Sequence, residues 1–316
     1  MATSNSVPGG HTFDNIINFR DVGTFINHIT GRDILKPGLL YRSARPDAAS
    51  NHDREVLLNE IKLKTIVDLR TKTEHSEAKN KFAARQKAEP PGTPAASETA
   101  ALPSLNPDSG AGDDEHAVPA TLRIDGIKYE DVDLNGKPYS NALLKQLSWR
   151  QRAKLYSLYV LGYHKEAISI LGTHVMAARG LSGLAEDSLE HCGGEVKALF
   201  DLLSDEKCYP LLAHCTQGKD RTGLTVLLVL MLCDVPLEAI DRDYMLSEKE
   251  LLPERQDKVK EIASIGLPDS FADCEEGWAG RVSGWVDEKY GGIGKYLERC
   301  GVRAEQQEKV RKLLMV

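Results

Sequence analysis

The chain has 316 residues, 41% of them hydrophobic and 28% charged, with a net charge of −7. These values exclude collagen-like, disulfide-dense and wholly disordered classes, and the acidic balance gives no general attraction for nucleic acid or an anionic membrane surface. Any anionic ligand must be held by a local basic site.

The first ten residues, MATSNSVPGG, read as a flexible N-terminus without the basic start and apolar stretch of a secretory signal. Residues 18–25 and 39–43 read as short strands around a turn at Gly31-Arg32-Asp33. Residues 51–61 carry Val56, Leu57, Leu58 and Ile61 at helical spacing, and residues 65–70 follow as a short strand ending in charge. Strand, helix and strand in alternation point to an α/β sheet.

Residues 84–120 change character, being rich in Pro, Ala, Ser, Gly and acid with no aromatic residue. Such a stretch buries too little apolar surface to offset its chain entropy. It is expected to be a disordered insertion inside one domain spanning residues 11–316. The alternative, a linker between two domains, would leave the first eighty residues too few elements to close a core.

Residues 127–134 resume as a strand ending at Asn135-Gly136, followed by helices over 141–161, 164–179 and 195–203. Residues 208–213 form a strand with Pro210 near its start, where proline is tolerated. Residues 223–233 are apolar on every face and predict a helix buried on all sides. The tail from 242 to 316 alternates amphipathic helices with breaks at Gly266-Leu267-Pro268 and Gly291-Gly292. The expected architecture is α/β, a central mostly parallel sheet flanked by helices with a helical C-terminal portion. The longest apolar run, 224–233, is half of the ~20 residues a membrane span needs, so no integral membrane segment and a cytoplasmic location are expected. The six cysteines show no CxxC spacing, and reduced thiols are expected in so large a chain.

The segment His214-Cys215-Thr216-Gln217-Gly218-Lys219-Asp220-Arg221-Thr222-Gly223 lies between the 208–213 strand and the buried helix. Thiols ionise at helix N-termini beside cationic groups, so Cys215 is the candidate nucleophile. The loop from Thr216 to Asp220, with Gly218 free to take unusual dihedrals, can turn backbone N–H groups toward three phosphate oxygens. Lys219 faces the loop mouth in this reading, and Arg221 adds a planar fork as charge shifts in the transition state. Thr222 can donate toward Cys215 or cap the helix, and His214 can orient the loop from behind.

Other readings of these residues fail on spacing. A nucleotide-binding loop needs Gly five positions before its Gly-Lys pair and Ser or Thr after it, whereas Ala213 and Asp220 stand there. A zinc site needs further Cys or His at short spacing, and no metal or other cofactor is expected. His191-Cys192 repeats the dipeptide but has Ala198 where the arginine would be, so Cys192 is read as structural. The pattern His-Cys-x5-Arg-Thr-Gly arises by chance about once in ten thousand chains of this length.

The segment resembles the signature loop of protein tyrosine phosphatases. The run from Gly218 to Gly223 is similar to the fungal and bacterial branch that also acts on serine, threonine or phosphoinositide phosphate. Residues 18–23, Tyr41-Arg42-Ser43, Asp68-Leu69-Arg70, Asp243-Tyr244 and residues 290–293 match that branch in order. The resemblance implies a cysteine-phosphatase fold and a phosphorylated protein or phosphoinositide substrate, without implying an oligomeric state. A phosphate-binding module without turnover is the reading from another class, but such relatives have generally lost the cysteine or the arginine. The Trp-Pro-Asp acid loop of the wider family does not occur here. Asp220, Asp68 and the pair Asp131 and Asp133 therefore compete for general acid, with Asp220 placed first. Asp68 with Arg70, and Arg20 with Asp21, read also as ion pairs holding the sheet ends.

Overall fold

The computed structural model describes residues 11–88 and 122–316. Five strands form one sheet: β1 (Arg20–Asp21), β2 (Leu40–Ser43), β3 (Thr65–Asp68), β4 (Lys128–Asp131) and β5 (Leu211–His214), in the order β1-β2-β5-β3-β4. All neighbours run parallel except β1 with β2. The pleat sorts side chains between two apolar layers. Leu40, Val67, Leu211 and Ala213 point into the larger core, while Tyr41, Ile66 and Leu212 join Val56, Leu57 and Ile16 on the other face. The α/β reading holds.

The N-terminal half differs from expectation in two elements, the helices at Val22–Thr30 and Lys72–Ala88. The strand ends at Asp21, because its carboxylate accepts from the Gly23 and Thr24 amides and starts helix α1 (Val22–Thr30), which Gly31 closes at φ 65°. Helix α2 (Asn51–Glu55) opens on a Ser50/Asp53 capping box and continues as a wider turn over Val56–Glu60. Helix α3 (Lys72–Ala88) carries past residue 84, where composition put the start of the insertion; residues 89–121 lie outside the described residues, as do 1–10.

The stretch expected as one helix over 141–161 is two, α4 (Lys137–Gln146) and α5 (Trp149–Val160), because Ser148 and Gln151 form a new capping box between them. Helix α6 (His164–Leu171) leads through a wide turn at Gly172–Met176 into α7 (Ala177–His191), whose first turn breaks at Gly180. Then come α8 (Gly193–Leu203), a short turn at Glu206–Cys208, and β5. Helix α9 (Asp220–Leu232) is buried except at Asp220 and Met231, which makes it the central rod of the larger core. The chain finishes with α10 (Leu237–Glu250), α11 (Arg255–Ser264), a turn at Asp269–Ala272, α12 (Trp278–Tyr290), α13 (Ile293–Arg299) and α14 (Ala304–Leu314). No described helix is long and apolar enough to cross a membrane. All six cysteines are free thiols.

The register puts Ser43, His214, Asp68 and Asp131 in one row at the C-terminal ends of the parallel strands. Loops leaving that row converge, which is where α/β sheets place ligand sites.

Candidate active site

The loop from His214 to Arg221 is fixed from outside by three donors. The Arg45 amide donates to the Thr216 carbonyl at 3.1 Å, Asn18 Nδ2 to the Gln217 carbonyl at 3.0 Å, and Arg42 Nη2 to the Gly218 carbonyl at 2.7 Å. In a planar trans peptide the N–H points opposite its carbonyl. Three successive carbonyls held outward therefore turn the amides of Gln217, Gly218 and Lys219 inward. The Gly218 amide already donates to Cys215 Sγ at 3.2 Å. Gly218 sits at φ 67°, and a Cβ there would lie 2.1 Å from the Ser43 carbonyl oxygen, so only glycine fits.

The donors are themselves anchored. Arg20 Nε donates to Asp243 at 2.7 Å and Arg20 Nη1 to Asn18 Oδ1 at 2.6 Å, while Arg42 pairs with the other Asp243 oxygen. These groups are all buried. The expected Arg20–Asp21 pair does not form: Arg20 belongs to the loop's scaffold, and Asp21 is used by α1 and the Gly38 amide.

Arg221 is held by a residue that the sequence reading missed. Glu74, in the first turn of α3, accepts from Arg221 Nη1 and Nη2 at 2.6 Å each and also from Thr216 Oγ1. Burial would raise the Glu74 pKa, but the Arg221 charge and hydrogen bonds from Arg221, Thr216 and the Thr71 amide outweigh it and hold it at about 2. Arg221 Nη1 also donates to the Leu69 carbonyl at 3.1 Å. Among the described residues this leaves Nε–H and one Nη2–H, a parallel pair suited to two phosphate oxygens.

Asp68 is fully buried, accepting from Arg70 Nη2 at 2.8 Å, with His75 Nε2 at 3.2 Å and His214 Nε2 at 3.5 Å. Against its burial, the charge of Arg70 and its hydrogen bond hold the Asp68 carboxyl well below the usual range. It is a charge anchor and unsuited to donate a proton. The sheet-end pair with Arg70 is present as expected, with Asp47 on the far side of the guanidinium. His214 lies behind the loop, its Nδ1 3.0 Å from the Cys215 carbonyl.

Three predicted roles change. Lys219 does not face the mouth: it is fully buried, and its Nζ donates to the Phe271 and Asp273 carbonyls at 2.9 and 2.8 Å. Its side chain therefore clamps the 269–273 turn to the loop. Thr222 neither reaches Cys215 nor caps the helix, its buried hydroxyl having no hydrogen-bond partner among the described residues. Asp131 is exposed and pairs with Arg123 at 3.3 Å. Asp133 is half-buried with one buried oxygen unpartnered, and burial pushes its pKa up to about 6 against the lowering effect of Arg221. Cys192 is buried, its thiol pushed up to about 12 by that burial, as a structural cysteine should be.

Among the described residues, Asp68, His75 and Asp131 bring ligand atoms within 4.8 Å of one another. With Arg70 donating to the Asp68 carboxylate, the group is already neutralised by a cation.

Cys215, Thr216, Gln217, Asp220 and Arg221 floor a cavity of about 160 Å³. Its walls are apolar, with Tyr139, Met176, Leu184, Phe271 and Trp278 among them. A dry cavity of about that size accepts a benzene ring.

A family model described as "Tyrosine phosphatase family" matches residues 11–316. The chain is 29% identical over 165 residues to a tyrosine-protein phosphatase of Nostoc commune, covering 46% of this chain and 56% of that one. It is 28% identical over 121 residues to the triple specificity protein phosphatase PtpB of Mycobacterium tuberculosis, covering 34% and 44%. The matches thus span about half the length of these relatives.

Proposed function

The chain belongs to the tyrosine phosphatase family, and from that premise we propose that it hydrolyses phosphate monoesters through a phosphocysteine on Cys215. The observation that carries this reading is the loop whose carbonyls are tied outward around Cys215, with the free edge of Arg221 beside it. The Cys215 thiolate attacks phosphorus and the P–O bond to the leaving group breaks. Asp220, half-exposed on the cavity floor, gives the leaving oxygen its proton. Water then attacks phosphorus and gives a proton to Asp220, and the S–P bond breaks to release phosphate and regenerate the thiolate. The inward amides and the Arg221 edge hold the three equatorial oxygens through both steps.

Phosphotyrosine on a protein is the substrate this site fits best. The apolar cavity matches an aryl ring, and the cationic side chains lining it are Arg221 and Lys258, the latter paired with Glu261 at 3.2 Å. A phosphoinositide headgroup with several phosphates needs more cations than that, and Lys219 is turned away. The relative named for triple specificity supports dual specificity as a second reading, since nothing in the cavity excludes a smaller phosphoserine or phosphothreonine side chain. Binding without turnover is disfavoured by the presence of both Cys215 and Arg221.

The test is Cys215→Ser, which should abolish aryl-phosphate hydrolysis while Cys192→Ser leaves it intact. Activity retained in the Cys215 variant would sink the reading. With Asp220→Asn, a poor leaving group should lose about 10²–10⁴-fold and a good one much less. Equal losses would move the acid role to Asp133.

A further inference from the structure

The net charge of −7 conceals a basic segment. Between Asp133 and Glu166 the chain carries Lys137, Lys145, Arg150, Arg152, Lys154 and Lys165, and no Asp or Glu. Most of these lie on the α5–α6 hairpin, whose helix α5 has Leu155 as its one buried residue.

The exposed side of α5 is the reverse of what a soluble helix presents. Trp149, Tyr156 and Val160 stand at i, i+7 and i+11, which puts them within about 20° of one line along the helix. Trp149 is 74% exposed and Val160 84%. Leu161 and Tyr163 extend the stripe around the turn at Gly162. Arg150 and Lys154 flank it on one side, with Arg150 over the Trp149 ring at 5.3 Å, while Arg152 on the other side turns its guanidinium back to the Lys145 and Leu147 carbonyls. Tyr159 packs edge-on against His164 at 4.6 Å and tilts the hairpin's inner side together, so the stripe is left facing solvent.

An apolar line bearing Trp and Tyr, bordered by Lys and Arg, on a helix about 18 Å long is the composition of an element that lies in a membrane interface. We propose that the α5–α6 hairpin docks this phosphatase on an anionic lipid surface, with Trp149, Tyr156, Val160 and Leu161 entering the headgroup boundary and Arg150 and Lys154 meeting acidic headgroups. The local charge complements such a surface, whereas the acidic remainder of the chain is repelled by it and keeps the hairpin foremost. The proposal is independent of which phosphomonoester the active site takes, since none of these residues lines the cavity.

The 316-residue chain should co-sediment with phosphatidylcholine vesicles containing phosphatidylserine at 50 mM salt, more weakly at high salt, and not with pure phosphatidylcholine. Tryptophan emission should shift to the blue on binding, and Trp149→Phe should remove that shift, because Trp278 is buried and Trp285 is packed against the core beneath Lys289 and Tyr290. Arg150→Gln with Lys154→Gln should weaken the partition about thirtyfold, from about 1 kcal/mol per basic residue. Val160→Asp with Leu161→Asp should abolish it. Both double variants should keep the parental melting temperature and hydrolysis of a soluble aryl phosphate. Failure of the parent to bind acidic vesicles overturns the proposal, as does unchanged binding by the variants. A concentration-dependent dimer that Val160→Asp with Leu161→Asp dissolves, without vesicle binding, assigns the stripe to self-association and equally refutes the lipid reading.

Discussion

Replacing Glu74 by Gln removes one charge and leaves the Arg221 guanidinium buried without its counter-ion. Glu74 is held at about 2 against an ordinary 4.5, so its ionised form contributes about 3 kcal/mol to folding at neutral pH. The cost of stranding one partner of a buried pair, about 3–5 kcal/mol, agrees. Because the folded pKa is depressed, that stability is fully present above pH 4.5 and fades as the pH falls toward 2. Urea titrations of parent and Glu74→Gln should differ by about 3 kcal/mol at pH 7, and the gap should narrow below pH 4.5. With the fork no longer pinned, kcat for an aryl phosphate should fall about 10²-fold even where the variant is folded. A variant within about 1 kcal/mol of the parent at pH 7, a gap undiminished at pH 3, or an unchanged kcat would refute the assignment of Glu74 as the anchor of Arg221.

Gly218→Ala should abolish activity and cost at least about 2 kcal/mol by thermal melting, whereas Gly284→Ala, with open space around its Cβ in mid-helix α12, should be neutral or stabilising. Lys219→Met should cost about 2 kcal/mol and raise KM for singly and multiply phosphorylated substrates by the same factor; selective damage to the multiply phosphorylated ones would show that its ammonium reaches substrate. Asp133→Asn should be more stable than the parent at pH 7.5 by up to about 3 kcal/mol. Its pKa is raised to about 6, so the stability contributed by its protonated form is lost as pH rises through that value, and the two proteins should converge near pH 4.

The parallel strands were legible because each is a short apolar run ending in charge or turn chemistry, and Cys215 and Arg221 because their spacing is rare by chance. The scaffold of the loop was harder to read. Asn18, Arg42 and Asp243 stood out through resemblance, but their roles depend on which backbone carbonyls they meet, and residue type does not reveal that. Helix α3 escaped because its sequence has no apolar stripe to mark a period. One signal was there: Thr71 and Glu74 have the spacing of a capping box, and their mutual hydrogen bonds start the helix that delivers Glu74 to Arg221. The placement of Lys219 followed from its position in the loop, whereas its acceptors are carbonyls some fifty residues away. The helix break at Leu147 was missed because Ser148 and Gln151 read as ordinary polar positions inside a longer period.

The central claim is that Cys215 carries the phosphoryl group between the two steps. Asp220→Asn enzyme mixed rapidly with an aryl phosphate whose leaving group needs no proton and quenched in acid should yield a peptide containing Cys215 that is heavier by one phosphoryl group, with a burst of the released aryl alcohol equal to the enzyme present. Phosphate found on another residue, or turnover with no trapped phosphocysteine and no burst, would contradict the account.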